Sequence, residues 1–312
     1  MFNQTNSTPQ GWLAFELNVL RRLTFSSVAL PFAADANLGK YLKRWNARVL
    51  ANDLTLSGYI KSVAAIENNG RRLSEEEVEA VLEDAYVPRY RLNNASLRNW
   101  FGETDAWWFD NVRNNIECLA SPMSRAIALT VALGVGDYVL SFTEETLELR
   151  QPLSNVYRRL LDTMAAAVNN GQDNICRNKN GYEFVADTEN RADLMFLRLP
   201  RAHNLSQKNY LGRAAWREEF LRGADDFWND LEIKQAGRLG TLIETKSQYL
   251  RLLEEMLRTA MHIKIWTVAH VEDGFITTQD IVETIARIRR VDTIFTKDFS
   301  ELTGTKAVII TA

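Results

Sequence analysis

Cysteine is scarce. Cys118 and Cys176 are the two in 312 residues, too few and too far apart for a disulfide framework or for the paired spacing of a zinc site. Such usage points to a reducing cytosol, so a cytoplasmic location is the expectation. The first ten residues, Met1 to Gln10, have no basic n-region and no apolar h-region; they read as a disordered start rather than a signal peptide. The longest apolar run, Ala126 to Val135, is short for a bilayer and is soon followed by Asp137, so no membrane partner is expected. An excess of one charge is also lacking. A formal net charge of −3 gives no overall positive field for nucleic acid, and a DNA-facing patch would have to be local. Histidine is limited to His203, His262 and His270, scattered so that no Ser-His-Asp or Cys-His arrangement can be built. His270 with Glu272 and Asp273 reads as a polar loop after a strand, and no metal is expected. Internal repeats and low-complexity tracts are absent.

What is present is ordinary globular material, 46% hydrophobic and 25% charged, enough for one large domain or a core carrying an insertion. Residues 27–32 predict a short buried strand, 36–45 a helix and 48–51 a second strand ending at Asn52-Asp53. Strand, helix and strand in about thirty residues make the unit of a parallel sheet. The last third repeats the alternation: strands over 193–199 and 262–269, helices over 247–260 and 278–290, the latter opened by an N-cap threonine. Two β-branched runs, 291–295 and 307–310, predict an edge hairpin. Between these ends the signals are helical. Ser74-Glu75-Glu76-Glu77 is a capping-box start, residues 111–119, 123–133 and 156–168 favour helix, and 171–181 reads as a loop. The expectation is an α/β core from 1–60 and 182–312, interrupted by a helical insertion over 61–181.

Two segments invite a nucleotide reading. Pro31-Phe32-Ala33-Ala34-Asp35-Ala36 lies between a strand and a helix, where a bound cofactor asks for glycines. Alanines stand there, so alone the segment is a structural turn. Asp53 ends the next strand, where an acid can accept from a ribose diol; the plain alternative is a strand-ending Asn-Asp turn.

Taken together, Pro31-Phe32-Ala33-Ala34-Asp35-Ala36 and Ala51-Asn52-Asp53-Leu54 resemble the S-adenosylmethionine region of Dam-type adenine-specific DNA methyltransferases, which reads Pro-Phe-x-Gly-x-Gly and then Asn-Asp. The similarity continues in order through Leu97-Arg98-Asn99-Trp100-Phe101, Phe109-Asp110-Asn111-Val112-Arg113, Asn190-Arg191-Ala192-Asp193-Leu194-Met195-Phe196-Leu197, Ile265-Trp266-Thr267-Val268 and the helix from Thr278. The resemblance implies a Rossmann-like S-adenosylmethionine-dependent methyltransferase fold, with the variable target-recognition region in the helical middle. Pro31, Phe32, Ala34, Ala36 and Asp53 fall on its cofactor-binding positions.

The departures fall on the chemistry. The family's Asp-Pro-Pro-Tyr aligns with Arg198, Leu199, Pro200 and Arg201, of which only Pro200 agrees. A guanidinium has five donors and no acceptor, so it cannot receive a hydrogen bond from an adenine amine; Arg201 offers no aromatic wall, although a guanidinium can stack on a base. Ala34 and Ala36 put methyls in the two glycine places, and Gly11-Trp12-Leu13 supplies no counterpart of the family's early Gly-x-Lys. The expected cofactor is therefore none, or weakly bound S-adenosylmethionine, and the expected function is that of a catalytically inactive relative that binds DNA or a partner protein subunit. The alternatives are an active site-specific adenine methyltransferase and an interaction scaffold that never touches DNA. Arg198 and Arg201 read either as a phosphate or carboxylate holder or as a surface pair bridged to Glu218 and Glu219. Trp100, Phe101, Trp107, Trp108 and Phe109 read as core or interface rather than as base-stacking rings. Arg287, Arg289 and Arg290 read as a solvated helix end.

Overall fold

The computed structural model describes residues 11–187, 192–272, 274–299 and 305–312; Met1 to Gln10, Asn190, Arg191 and Asp273 lie outside them. Seven strands run in chain order: β1 Ser27–Leu30, β2 Arg48–Asn52, β3 Ile175–Arg177, β4 Leu194–Arg198, β5 Ile265–Glu272, β6 Thr293–Phe299 and β7 Thr305–Thr311. The helices are α1 Trp12–Leu20, α2 Asn37–Arg44, α3 Leu56–Ser62, α4 Glu75–Leu82, α5 Glu103–Glu117, α6 Pro122–Leu140, α7 Leu153–Thr163, α8 Gly181–Asp187, α9 Gln207–Leu211, α10 Ala215–Arg222, α11 Trp228–Gln235, α12 Lys246–Thr259 and α13 Thr278–Ala286.

The strands form one mixed sheet in the order β3-β2-β1-β4-β5-β7-β6. The first five are parallel, with Ala29 level with both Leu50 and Met195, and β7 runs antiparallel to β5 and β6. Helices cover both faces, so β1, β2 and β4 are buried almost end to end, as the unbroken apolar runs require. On one face Val49 joins the core that includes Leu38 and Leu42 of α2, and on the other Trp266 joins the core that includes Leu253 and Leu257 of α12. The strand order reverses between β1 and β4, and the carboxyl ends of those strands part around a crevice.

The capping-box start forms at Ser74, whose side chain accepts from Glu77 N. Residues 171–181 are not all loop. Ile175 to Arg177 pair with β2 because Asn174 Oδ1 accepts from Val49 N at 2.9 Å and Cys176 is buried. The sheet therefore reaches into the stretch expected to be an insertion, and a strand too short for any periodic signal explains the error. The late hairpin forms, but β7 lies inside the sheet and only β6 is at the edge. The cap of α13 is Thr277, and its helix stops before the arginines. Arg289 is no solvated end. It donates to the carbonyls of Met261, Ile263 and Lys264 and lies 4.0 Å from the Trp266 ring centroid. Arg287 pairs with Glu254.

The middle segment has its own core. Phe101, Trp107, Trp108 and Phe109 are buried there with Trp216 and Phe220, Phe101 and Phe109 stacking at 4.3 Å. These rings are interior and present no face to a base. Helix α6, 19 residues with mean hydropathy 1.3, is long and apolar enough to cross a membrane, yet 56% of that window is buried. It packs as a core helix against α5 and α7.

Candidate functional site

A cleft of about 590 Å³ opens at the carboxyl ends of the parallel strands, within the size range of small-molecule sites. Its walls come from the turns after β1 and β2, from α3, from the segment after β4, and from β5 and α12.

The turn after β1 is built on two alanines in the left-handed region, Ala34 with φ 54° and Ala36 with φ 62°. This is backbone that glycine adopts freely and alanine adopts at a cost of roughly 1–2 kcal/mol. Ala36 does not line the cleft: its methyl is buried in the sheet core. Only Ala34 sits at the cleft surface, so the expected intrusion of both methyls is corrected to one. Pro31 is buried behind the turn, while Phe32 lines the cleft.

Asp53 clamps that turn. Its Oδ2 accepts from Ala34 N at 2.7 Å, and its Oδ1 accepts from Thr55 N at 2.9 Å and Thr55 Oγ1 at 2.6 Å. Asp53 therefore does more than end a strand: it binds one loop to the cap of α3. The close fit depends on Gly58, where a Cβ would fall 2.4 Å from Asp53 Cγ. Burial pushes the Asp53 carboxyl above its ordinary value, with Glu218 adding to the push while the Thr55 and Ala34 bonds pull back.

At the end of β4 the chain carries Arg198, Leu199, Pro200 and Arg201, and all four line the cleft. Arg198 is not bridged to Glu218 or Glu219. Its Nε and Nη2 donate to Glu16 Oε1 and Oε2 at 2.9 and 2.7 Å, a two-pronged pair with a carboxylate that is fully buried in α1. Glu16 also accepts from Trp12 Nε1 at 2.6 Å. Burial works against the Arg198 charge, but Glu16, with Asp35 and Asp53 beyond it, more than compensates and the guanidinium is held above its ordinary value. Glu218 instead accepts from Leu56 N and Ser57 N, and Glu219 from the indoles of Trp100 and Trp228. Arg201 is exposed and makes no hydrogen bond or ion pair among the described residues. The Pro200 carbonyl is taken by Tyr249, whose hydroxyl donates to it at 2.8 Å.

His270 and Glu272 belong to β5 rather than to a loop. His270 faces the cleft with Nε2 3.0 Å from Ile276 O, and Glu272 accepts from Thr278 N. Among the described residues no group of three or more His, Cys, Asp or Glu is placed to hold a metal ion.

Sequence reasoning missed Trp12, Glu16, Lys61, Arg217 and Tyr249. A Trp and a Glu four apart within an apolar helix was the available signal for the first two; no local signal pointed to the others. S-adenosylmethionine is the cofactor that the resemblance implies, and the residues present do not fit it. Asp53 is already held by three donors, a methyl stands at Ala34, and the β4 end offers donors in place of acceptors. No methyl-transfer step follows from this lining.

Fold and cleft together define an α/β protein with an open crevice at the switch point of a mostly parallel seven-stranded sheet. No protein-family model matches the chain, and no curated protein matches it.

Proposed function

We propose that this chain is a catalytically inactive DNA adenine methyltransferase-like protein, cytoplasmic, that acts by binding DNA or a partner protein. One route is a complex in which this chain supplies binding surface and another subunit supplies the chemistry. The observation that carries the reading is the Arg198–Glu16 pair. Methyl transfer to an exocyclic amine needs acceptors beside the nitrogen, and the end of β4 holds a guanidinium there. Glu16 cannot stand in as acceptor, because both its oxygens are occupied and it is wholly buried.

The strand order, with one reversed strand placed between the last two parallel-side neighbours, supports a methyltransferase-like scaffold. The lining weighs against an interaction scaffold that avoids phosphate. It carries Lys61 and Arg201 without counter-ions among the described residues, alongside Asp35, Asp53 and the Arg198–Glu16 and Arg217–Asp137 pairs, and phosphate contacts need local positive charge.

Calorimetric titration with S-adenosylmethionine, run beside DNA binding across a salt series and a methyl-transfer assay, tests this. The expected result is little or no cofactor heat, no methylated DNA, and binding to DNA that weakens as salt rises. Cofactor heat together with methylated adenine would overturn it.

A further inference from the structure

The cleft holds cations that the fold leaves short of counter-charge. Lys61, in the last turn of α3, lines it and makes no hydrogen bond or ion pair among the described residues. Arg201 is in the same position on the loop after β4. Arg217, on α10, is paired with Asp137, itself 40% exposed at the side chain. Glu218 accepts from Leu56 N and Ser57 N at 2.9 Å, which fastens α10 to the start of α3 and sets Arg217 and Lys61 on one wall. Burial and the Arg217 charge lower the Lys61 pKa, with Asp137, Asp35 and Asp53 only partly offsetting them. The two acids of the lining are already engaged: Asp35 accepts from Asn37 N and Nδ2, and Asp53 from Ala34 and Thr55. Phe32 and Tyr210 are part-exposed rings of the lining, Tyr210 backed by His203 at 3.7 Å, while Trp12 and Tyr249 are buried behind the wall.

We propose that this cleft binds a nucleotide phosphate, with Lys61, Arg201 and Arg217 receiving the phosphate and the aromatic lining receiving the ring. Two unpaired cations, Lys61 and Arg201, with Arg217 on a part-exposed carboxylate beside them, in a cavity of about 590 Å³ with ring surface in its wall, suit an anion that carries a base. A sulfonium ligand is the opposite case, since it brings positive charge to a lining whose unpaired groups are cationic. The same chemistry is offered by a free mononucleotide and by a nucleotide within single-stranded DNA. The inference rests on this cleft being the binding site, and it is independent of whether methyl transfer is lost.

Calorimetry with AMP, adenosine and a short deoxyadenylate strand, on the full chain and on Lys61→Met and Arg201→Ala, tests the proposal. AMP is expected to bind at least about tenfold more tightly than adenosine, a difference of about 1.4 kcal/mol. Each substitution should remove most of that preference while leaving adenosine affinity and the melting temperature near those of the parent. Arg201 is exposed, so its replacement keeps the test valid even if Lys61→Met folds poorly. Binding of AMP without the strand identifies the free nucleotide as the ligand; a strand that binds more tightly, with AMP competing, identifies DNA. Equal affinity for AMP and adenosine, a preference that survives both substitutions, or no heat with AMP and strand alike overturns the proposal. Each of these outcomes leaves the S-adenosylmethionine titration to be read separately.

Discussion

Strands β1 and β4 lie side by side, and their two ends are built in opposite ways. At the amino ends a single carboxylate ties them together: Asp193 Oδ2 accepts from Ser26 N, Ser26 Oγ, Ser27 N and Ser27 Oγ at 2.6–3.0 Å. At the carboxyl ends Ala34 and Ala36 are left-handed, Asp53 is buried, and Arg198 depends on a carboxylate with no solvent access. Aspartate shows the contrast most directly. The Ser26 hydroxyl bond leads in pulling the Asp193 carboxyl below its ordinary value, whereas burial pushes Asp53 above it. Strain and buried charge gather at the cleft ends of these strands, and the opposite ends hold the sheet together.

The largest test of this contrast is Glu16→Ala. It leaves Arg198 without its counter-ion in a site only 16% exposed at the side chain, and breaking such a pair costs about 3–5 kcal/mol. Urea denaturation should show a loss of that order; a loss under about 1 kcal/mol would mean the pair behaves like a surface bridge and the two ends are alike.

Next in size is the acid limb of stability. Asp193 has a folded pKa below its ordinary 3.8, so its contribution is complete above that value and is lost as pH falls through the lower, folded one. Asp53 has the reverse sign: with its folded pKa raised, its contribution diminishes as pH climbs from 3.8 through that raised value. Asp193→Asn should therefore cost about 1–2 kcal/mol at pH 7, with the gap to the parent closing as pH drops below about 4. A gap that persists unchanged in acid would remove the electrostatic part of the contrast.

The smallest effect is at the turn. Ala34→Gly relieves a left-handed residue at the cleft surface and should raise stability by about 0.5 kcal/mol, the relief exceeding the entropy cost of glycine. Ala36→Gly gives up a buried methyl worth about 0.8 kcal/mol and should be neutral or worse. If thermal melts show both changes destabilising equally, the strain does not belong to the cleft side.

Much of the architecture was legible along the chain because it is written in local pattern. The Val28-Ala29-Leu30 and Val49-Leu50-Ala51 runs gave two parallel strands, Ser74 and Glu77 gave a capping box, and the β-branched runs near the end gave the hairpin. The positions of Phe32, Ala34, Asp53 and the Arg198 to Arg201 segment at one cleft followed from strand order. Strand β3 escaped, since three residues carry no period and its pairing is decided by β2.

Sequence alone determined that the segment closing the fourth strand carries two fixed cationic donors, Arg198 and Arg201, because side-chain chemistry travels with the residue. Tertiary structure decided what each does with its charge. Glu16 is 182 positions from Arg198, a separation that no periodicity spans, yet burial in α1 makes it the partner and leaves Arg201 and Lys61 facing the cleft without one. Which charges are cancelled and which remain for a ligand depends on distance and dielectric, and both exist only once the chain has folded.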